Sequence, residues 1–185
     1  TNYAGQFRGV QIGVVNVAMG TSDGLQLGVL NFTRDTSAVK VGLINLTPAT
    51  RVQLLLFGGN VTKSNLAVRF LNHHIYTLLG FGLYYRGLDD RFSGALYYRA
   101  GYRVNVARRL ALSGDLGLAH IEDAPAGTEQ MEERRLGIQA RLNVEMQISP
   151  RFSFFATGGW GRAHRYGHFR DGQRKAIAEM GLMFF

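Results

Sequence analysis

Five histidines, His73, His74, His120, His164 and His168, are the side chains best suited to proton transfer or metal ligation. His120 precedes Glu122 by two residues and Asp123 by three, but the nearest hydroxyl worth considering, Ser113, is seven residues away. On an extended strand that is about 23 Å, so the pair is no dyad. His164 and His168 would share one face of a strand and could offer two ligands to a metal or a haem. No third ligand stands near them in the sequence, and a metal site needs one. We therefore expect no catalytic residue, no metal and no cofactor. The histidines read as strand-end or turn residues whose amphipathic rings suit an interface.

The charged residues form two sets. Arg99, Arg103, Asp115, Arg141, Glu145 and Glu179 each fall on the polar side of an alternating segment, among Gly, Ala, Ser, Asn and Gln. Opposite charges on one face can pair as a structural network or line a pore. Arg162, Arg165, Arg170, Arg174 and Lys175 gather instead around the last connection of the chain. Guanidinium groups there could clamp phosphate oxygens through charge-assisted bonds, or simply be solvated. The formal charge of +8 is spread through alternating segments and forms no compact basic patch, so nucleic acid is not an expected partner.

Strands must position these side chains. Leu136, Ile138, Ala140, Leu142, Val144, Met146 and Ile148 alternate with Arg135, Gly137, Gln139, Arg141, Asn143, Glu145 and Gln147, which is the period of a strand with one greasy face. The same split recurs over 96–104, 110–119 and 175–184. Further strand candidates lie at 51–60, 65–71, 75–85 and 152–165, with turn signals at Thr47-Pro48, Gly59-Asn60, 86–90, Asn105 and Ser149-Pro150. Residues 122–133 read as an exposed loop.

No apolar run approaches the roughly 18 residues that a membrane helix needs. The absence of cysteine excludes disulfides and thiolate metal sites. A soluble barrel would fill its interior with large apolar side chains and carry abundant Lys and Glu outside. Here the polar face is mostly small, with sparse charges of both signs, while the greasy face mixes aliphatics with terminal aromatics. That pattern favours a barrel turned outward to lipid. Closure is then obligatory, because unpaired backbone groups cannot face hydrocarbon.

The first third repeats. Gly9-Val10-Gln11-Ile12-Gly13-Val14-Val15-Asn16-Val17 returns at Gly24–Phe32, and Ala38–Leu46 is a weaker third copy. A period of 15 suits a strand plus a turn, or a coil of a β-solenoid. Counting each copy as a strand gives eleven segments. A bulge at Leu71-Asn72-His73-His74, where the greasy parity switches, would merge two and leave ten; a true hairpin there would require a twelfth strand. The expectation is a single all-β domain over 1–185, a transmembrane antiparallel up-and-down barrel of about ten strands, with eight or twelve as alternatives.

The ending Glu179-Met180-Gly181-Leu182-Met183-Phe184-Phe185 resembles the C-terminal insertion signal of bacterial outer-membrane barrel proteins. In that resemblance Gly181, Phe184 and Phe185 carry the signal. The Gly-x-Gln-x-Gly-x-x-Asn units at 9–16 and 24–31 resemble those of repeat-containing surface proteins of the outer membrane. The resemblance implies a location in the cell outer membrane, with an export leader already removed from a chain that opens on Thr1-Asn2-Tyr3. It implies membrane lipid and lipopolysaccharide as partners, the barrel-assembly machinery during insertion, and other outer-membrane proteins. Three functions remain in competition: a non-enzymatic anchor, scaffold or accessory subunit; a narrow pore; and an enzyme modifying lipid or lipopolysaccharide.

Overall fold

The computed structural model describes residues 1–35, 37–85, 92–124, 134–166 and 168–185, with backbone alone at 85, 92, 123–124, 168–171 and 173. Every described element is a strand. The N-terminal part holds β1 (Asn2–Ala4), β2 (Phe7–Ile12), β3 (Val15–Ala18), β4 (Ser22–Leu27), β5 (Leu30–Thr33), β6 (Val39–Val41) and β7 (Ile44–Leu46). The remainder holds β8 (Arg51–Gly59), β9 (Thr62–Asn72), β10 (Ile75–Tyr85), β11 (Phe92–Ala107), β12 (Leu110–Ala124), β13 (Arg134–Ser149), β14 (Phe152–Arg165) and β15 (His168–Phe184).

Strands β8 to β15 pair antiparallel with their sequence neighbours, and β15 returns to β8, closing the barrel. Eight strands make the wall, not about ten. They correspond to the eight strand candidates from residue 51 onward. The barrel occupies 51–184 rather than the whole of 1–185, and the repeat copies lie outside it. The parity switch after Leu71 is a true two-residue hairpin, with Asn72 opposite Ile75 and His73 at φ 54°. No twelfth strand is needed, because the three repeats do not count.

Their exclusion has a physical cause. Each repeat is two short arms of three to six residues broken at Gly13-Val14, Gly28-Val29 or Gly42-Leu43. A barrel strand needs about 9–11 residues to cross a bilayer. The arms instead pair parallel with their own copies one repeat later, as in Gln11↔Gln26 and Asn16↔Asn31. Two parallel sheets result, β1-β3-β5-β7 and β2-β4-β6, the walls of a small β-solenoid.

The barrel puts its short connections (73–74, 108–109, 150–151) at one end, with the C-terminus, and its other connections (60–61, 86–91, 125–133, 166–167) at the opposite end. Outward positions are aliphatic and open: Leu116 is 68% exposed, Leu142 75% and Met180 63%. Inward positions are mixed. Phe57, Tyr97, Phe155, Ile177 and Met183 form an apolar cluster inside, with Phe57 meeting Tyr97 and Phe155 edge-on at centroid distances of 6.3 and 5.6 Å. Gly80 faces the Tyr97 ring so closely that a Cβ would lie 2.5 Å from it, which is why that wall position carries no side chain.

Candidate functional site

The lumen collects the chemistry. All six charged residues assigned to it from the sequence point inward, and the barrel brings them together. Glu145 on β13 is the hub nearer the short-turn end. It accepts from Arg69 in a bidentate pair at 2.6 and 3.1 Å, from Arg103 Nε at 2.9 Å and from Ser113 Oγ at 3.0 Å. Glu179 on β15 is the second hub. Arg141 donates to it through Nε and Nη2 at 3.2 Å each, and Arg99 lies at 3.3 and 3.4 Å. Arg141 also donates to Gln139 Oε1 at 2.5 Å.

Between the hubs, Asp115 Oδ2 accepts from Tyr76 Oη at 2.8 Å and Asn143 Nδ2 at 2.9 Å, and Thr157 Oγ1 donates to Asn143 Oδ1 at 2.6 Å. Strand register explains the convergence, since Asp115 sits directly opposite Arg141. The aromatic cluster supports the cations: the Arg99 guanidinium lies 4.6 Å from the Tyr97 ring centroid and 5.2 Å from that of Phe57, and Arg69 lies 5.0 Å from that of Tyr76.

Reading the sequence missed Arg69, which is buried and ties Glu145 to Gln53 through Nε at 2.7 Å. The signal was present, because Arg69 interrupts the greasy set Leu66, Val68 and Phe70 at the inward parity. Tyr76 and Gln53 were missed as well. Their roles depend on partners across the barrel, which local spacing does not reveal.

The network and the aromatic cluster fill the bore among the described residues. A void lined by Tyr97, Arg99, Gln139, Arg141 and Glu179 measures about 10 Å³, room for at most one water. At the short-turn mouth a cavity of about 400 Å³ is edged by Arg51, Arg103, Arg108, Arg109 and Phe185.

Among the described residues the cations around the last connection take different faces of the wall. Arg162 and Arg174 stand directly opposite each other on the outward face of β14 and β15. Arg165 is exposed opposite Arg135, Lys175 lies opposite Gly161 at inward parity, and the side chain of Arg170 lies outside the described residues. At the C-terminus Phe184 takes the outward parity of Leu182 and Met180. Phe185 lies beyond the strand at the mouth, its N–H donating to Arg151 O at 3.0 Å. Gly181 lies against the backbone of Leu56 and Phe57, where a Cβ would not fit.

The histidines remain scattered. His73 and His74 form the short turn, with His74 stacked on Tyr102 at 5.4 Å. His120 meets Tyr166 Oη at 3.0 Å and Glu122 at 3.5 Å on the exposed side. The side chain of His168 lies outside the described residues. Among the described residues no group of three His, Cys, Asp or Glu could hold a metal ion.

No family model and no curated protein matches the chain. Among solved structures, the chain is similar to the N-terminal β-barrel domain of Pseudomonas aeruginosa OprF, at 16% identity and TM-score 0.49, over 72% of this chain and 93% of that one. It is also similar to Neisserial surface protein A, at 10% identity and TM-score 0.47, over 72% of this chain and 92% of that one.

Proposed function

We propose that the chain is an integral outer-membrane barrel that acts as a non-enzymatic anchor or accessory subunit of an envelope assembly, and that it conducts no solute. The observation that carries this reading is the pairing of an aliphatic exterior with a bore filled by the Arg69–Glu145–Arg103 and Arg99–Glu179–Arg141 clusters. In water, such an exterior would be an aggregation liability far larger than a monomer tolerates. In a bilayer it is the required surface, with every wall strand paired on both sides. The filled bore argues against the pore, since open channels belong to wider barrels.

Membrane lipid is the constant partner in this reading. The Arg162–Arg174 cross-strand pair on the outward side would suit a lipopolysaccharide phosphate, because like charges at directly opposite positions repel and an anion would offset them. Insertion by the barrel-assembly machinery and association with other outer-membrane proteins complete the proposal. Planar-bilayer recording tests its core. The purified protein should insert and stay silent across salt concentrations, and a discrete single-channel conductance would overturn the sealed-barrel reading. Cross-linking in gently solubilised membranes tests the accessory role, and a sharp monomer without partners would count against it.

A further inference from the structure

The N-terminal solenoid is inside out. Its interior is amide and hydroxyl: Asn16, Asn31, Gln26, Ser22 and Thr33 are all fully buried. Its exterior is aliphatic, with Ile12 71% exposed and Val14 65%. The apolar cluster of the barrel includes no residue before Leu55, and the buried hydrophobic side chains described in the coil are two alanines, Ala18 and Ala38. A solenoid built for water would reverse this arrangement, because burying apolar surface is what stabilises it there.

The polar interior is largely paired; among its described residues Gln26 Oε1 is the one buried polar side-chain atom without a partner. Asn2, Asn16, Asn31 and Asn45 form a ladder in which each side-chain amide donates to the next side-chain carbonyl, at 2.7, 2.8 and 2.9 Å. The same amides reach the backbone carbonyls beside the tips, Ile12 O at 2.7 Å, Leu27 O at 2.9 Å, Val41 O at 3.1 Å and Gly42 O at 2.9 Å. Backbone bonds between rungs complete the tips, with Val29 N and Leu30 N donating to Val14 O at 2.9 Å each and Ile44 N to Val29 O at 2.9 Å. Satisfying tip carbonyls internally matters little in water and is obligatory in hydrocarbon.

Position agrees. The last rung lies against the outer wall of the barrel. At one end Ser37 to Lys40 share a cavity with Asn72, His73, His74 and Ile75 of the short-turn end. At the other end Gly42 O accepts from Tyr98 Oη at 3.1 Å, and Leu43 lines an apolar groove of about 560 Å³ together with Leu66, Val68, Leu79, Phe81 and Leu96. The tips therefore stand partway up the aliphatic wall. The opposite corners, with Arg8, Asp23, Arg34 and Asp35, stand toward the short-turn rim. An arm of about five residues is roughly 16 Å tall, close to one leaflet of a hydrocarbon core about 30 Å thick.

We propose that the solenoid, residues 1–47, is a second lipid-immersed unit, which dips into the leaflet on the short-turn side with Val14, Val29 and Leu43 near the midplane and its charged corners at the headgroups. Its occupant is the acyl-chain layer of the bilayer that holds the barrel. The aliphatic exterior of the coil faces the aliphatic wall across the apolar groove at Leu43, a space that acyl chains would fill. This inference rests on the outer-membrane reading of the barrel.

The chain lacks cysteine, so single cysteines report unambiguously. Val29→Cys, Val14→Cys, Asp23→Cys and, as a wall reference, Leu116→Cys are each labelled with an environment-sensitive nitrobenzoxadiazole dye and folded into phosphatidylcholine vesicles. Lipids spin-labelled deep in the chain should quench the dye at Val29, Val14 and Leu116, whereas aqueous iodide should quench it only at Asp23. Iodide quenching at Val29 and Val14 with lipid quenching at Leu116 would put the coil in water and overturn the inference while leaving the barrel reading intact. Shielding of Val29 and Val14 from both quenchers would assign the stripe to a second copy or a protein partner and overturn it equally. Iodide quenching at Leu116 would sink the membrane reading itself, and the inference with it.

Discussion

Replacing Glu179 by Gln should be among the most damaging single-atom changes available in this chain. The carboxylate is buried and receives four contacts, two from Arg141 and two from Arg99, at 3.2 to 3.4 Å. The amide keeps the shape but removes the charge, leaving two buried guanidinium groups beside each other with only the neighbouring Asp115 to offset them. Breaking a buried pair by removing one partner costs about 3–5 kcal/mol, and here one carboxylate serves two cations, which argues for the upper half. With a urea m value of about 2 kcal/mol/M, a loss of about 4 kcal/mol lowers the unfolding midpoint by about 2 M. The assay is urea titration in vesicles, read by heat-modifiable gel migration. The double change Glu179→Gln with Arg99→Gln should recover part of the loss, because removing both partners costs less than orphaning one. A midpoint for Glu179→Gln within a few tenths of a molar of the parent would refute the view that this network stabilises the barrel.

Three further expectations concern the barrel and coil separately. Asn31→Leu interrupts the amide ladder, leaving Asn16 Nδ2 without its 2.8 Å side-chain acceptor. Limited proteolysis should then cleave within residues 1–47 while the barrel keeps its heat-modifiable migration. Tyr98→Phe removes the bond to Gly42 O, worth about 1 kcal/mol, and should raise protease sensitivity of the coil alone, to a smaller degree. Arg69→Met deprives Glu145 of its bidentate partner but leaves Arg103 at 2.9 Å, so its urea midpoint should fall by less than that of Glu179→Gln.

Alternation made the barrel legible. Segments such as 135–148 carry a strict two-residue period because one face meets the bore and the other the surroundings; four of the eight wall strands can be read from it, and the other four are candidates bounded by turn signals. The repeats misled because a fifteen-residue period fits a strand plus turn as well as a coil. The discriminating detail is local: Val14 and Val15 break the alternation directly after Gly13, which divides each unit into two arms too short to cross. The hairpin at His73-His74 carried no glycine or proline signal, since a histidine takes the left-handed conformation there. Pairings such as Arg69 with Glu145, 76 residues apart, depend on closure of the whole wall and have no local signature.

The central claim is that the aliphatic exterior of the barrel lies in hydrocarbon, and the depth dependence of one charge tests it most directly. Leu142 is mid-strand in β13 and outward, whereas Ile138, two pleat repeats farther from the short-turn end, stands directly opposite Arg162, a charge that the account puts at the edge of the apolar layer. In vesicles Leu142→Arg should cost about 2–4 kcal/mol and Ile138→Arg about 1 kcal/mol or less, the difference between midplane and interface. Equal and negligible costs at both sites, within about 0.5 kcal/mol as for ordinary surface positions in water, would contradict the account.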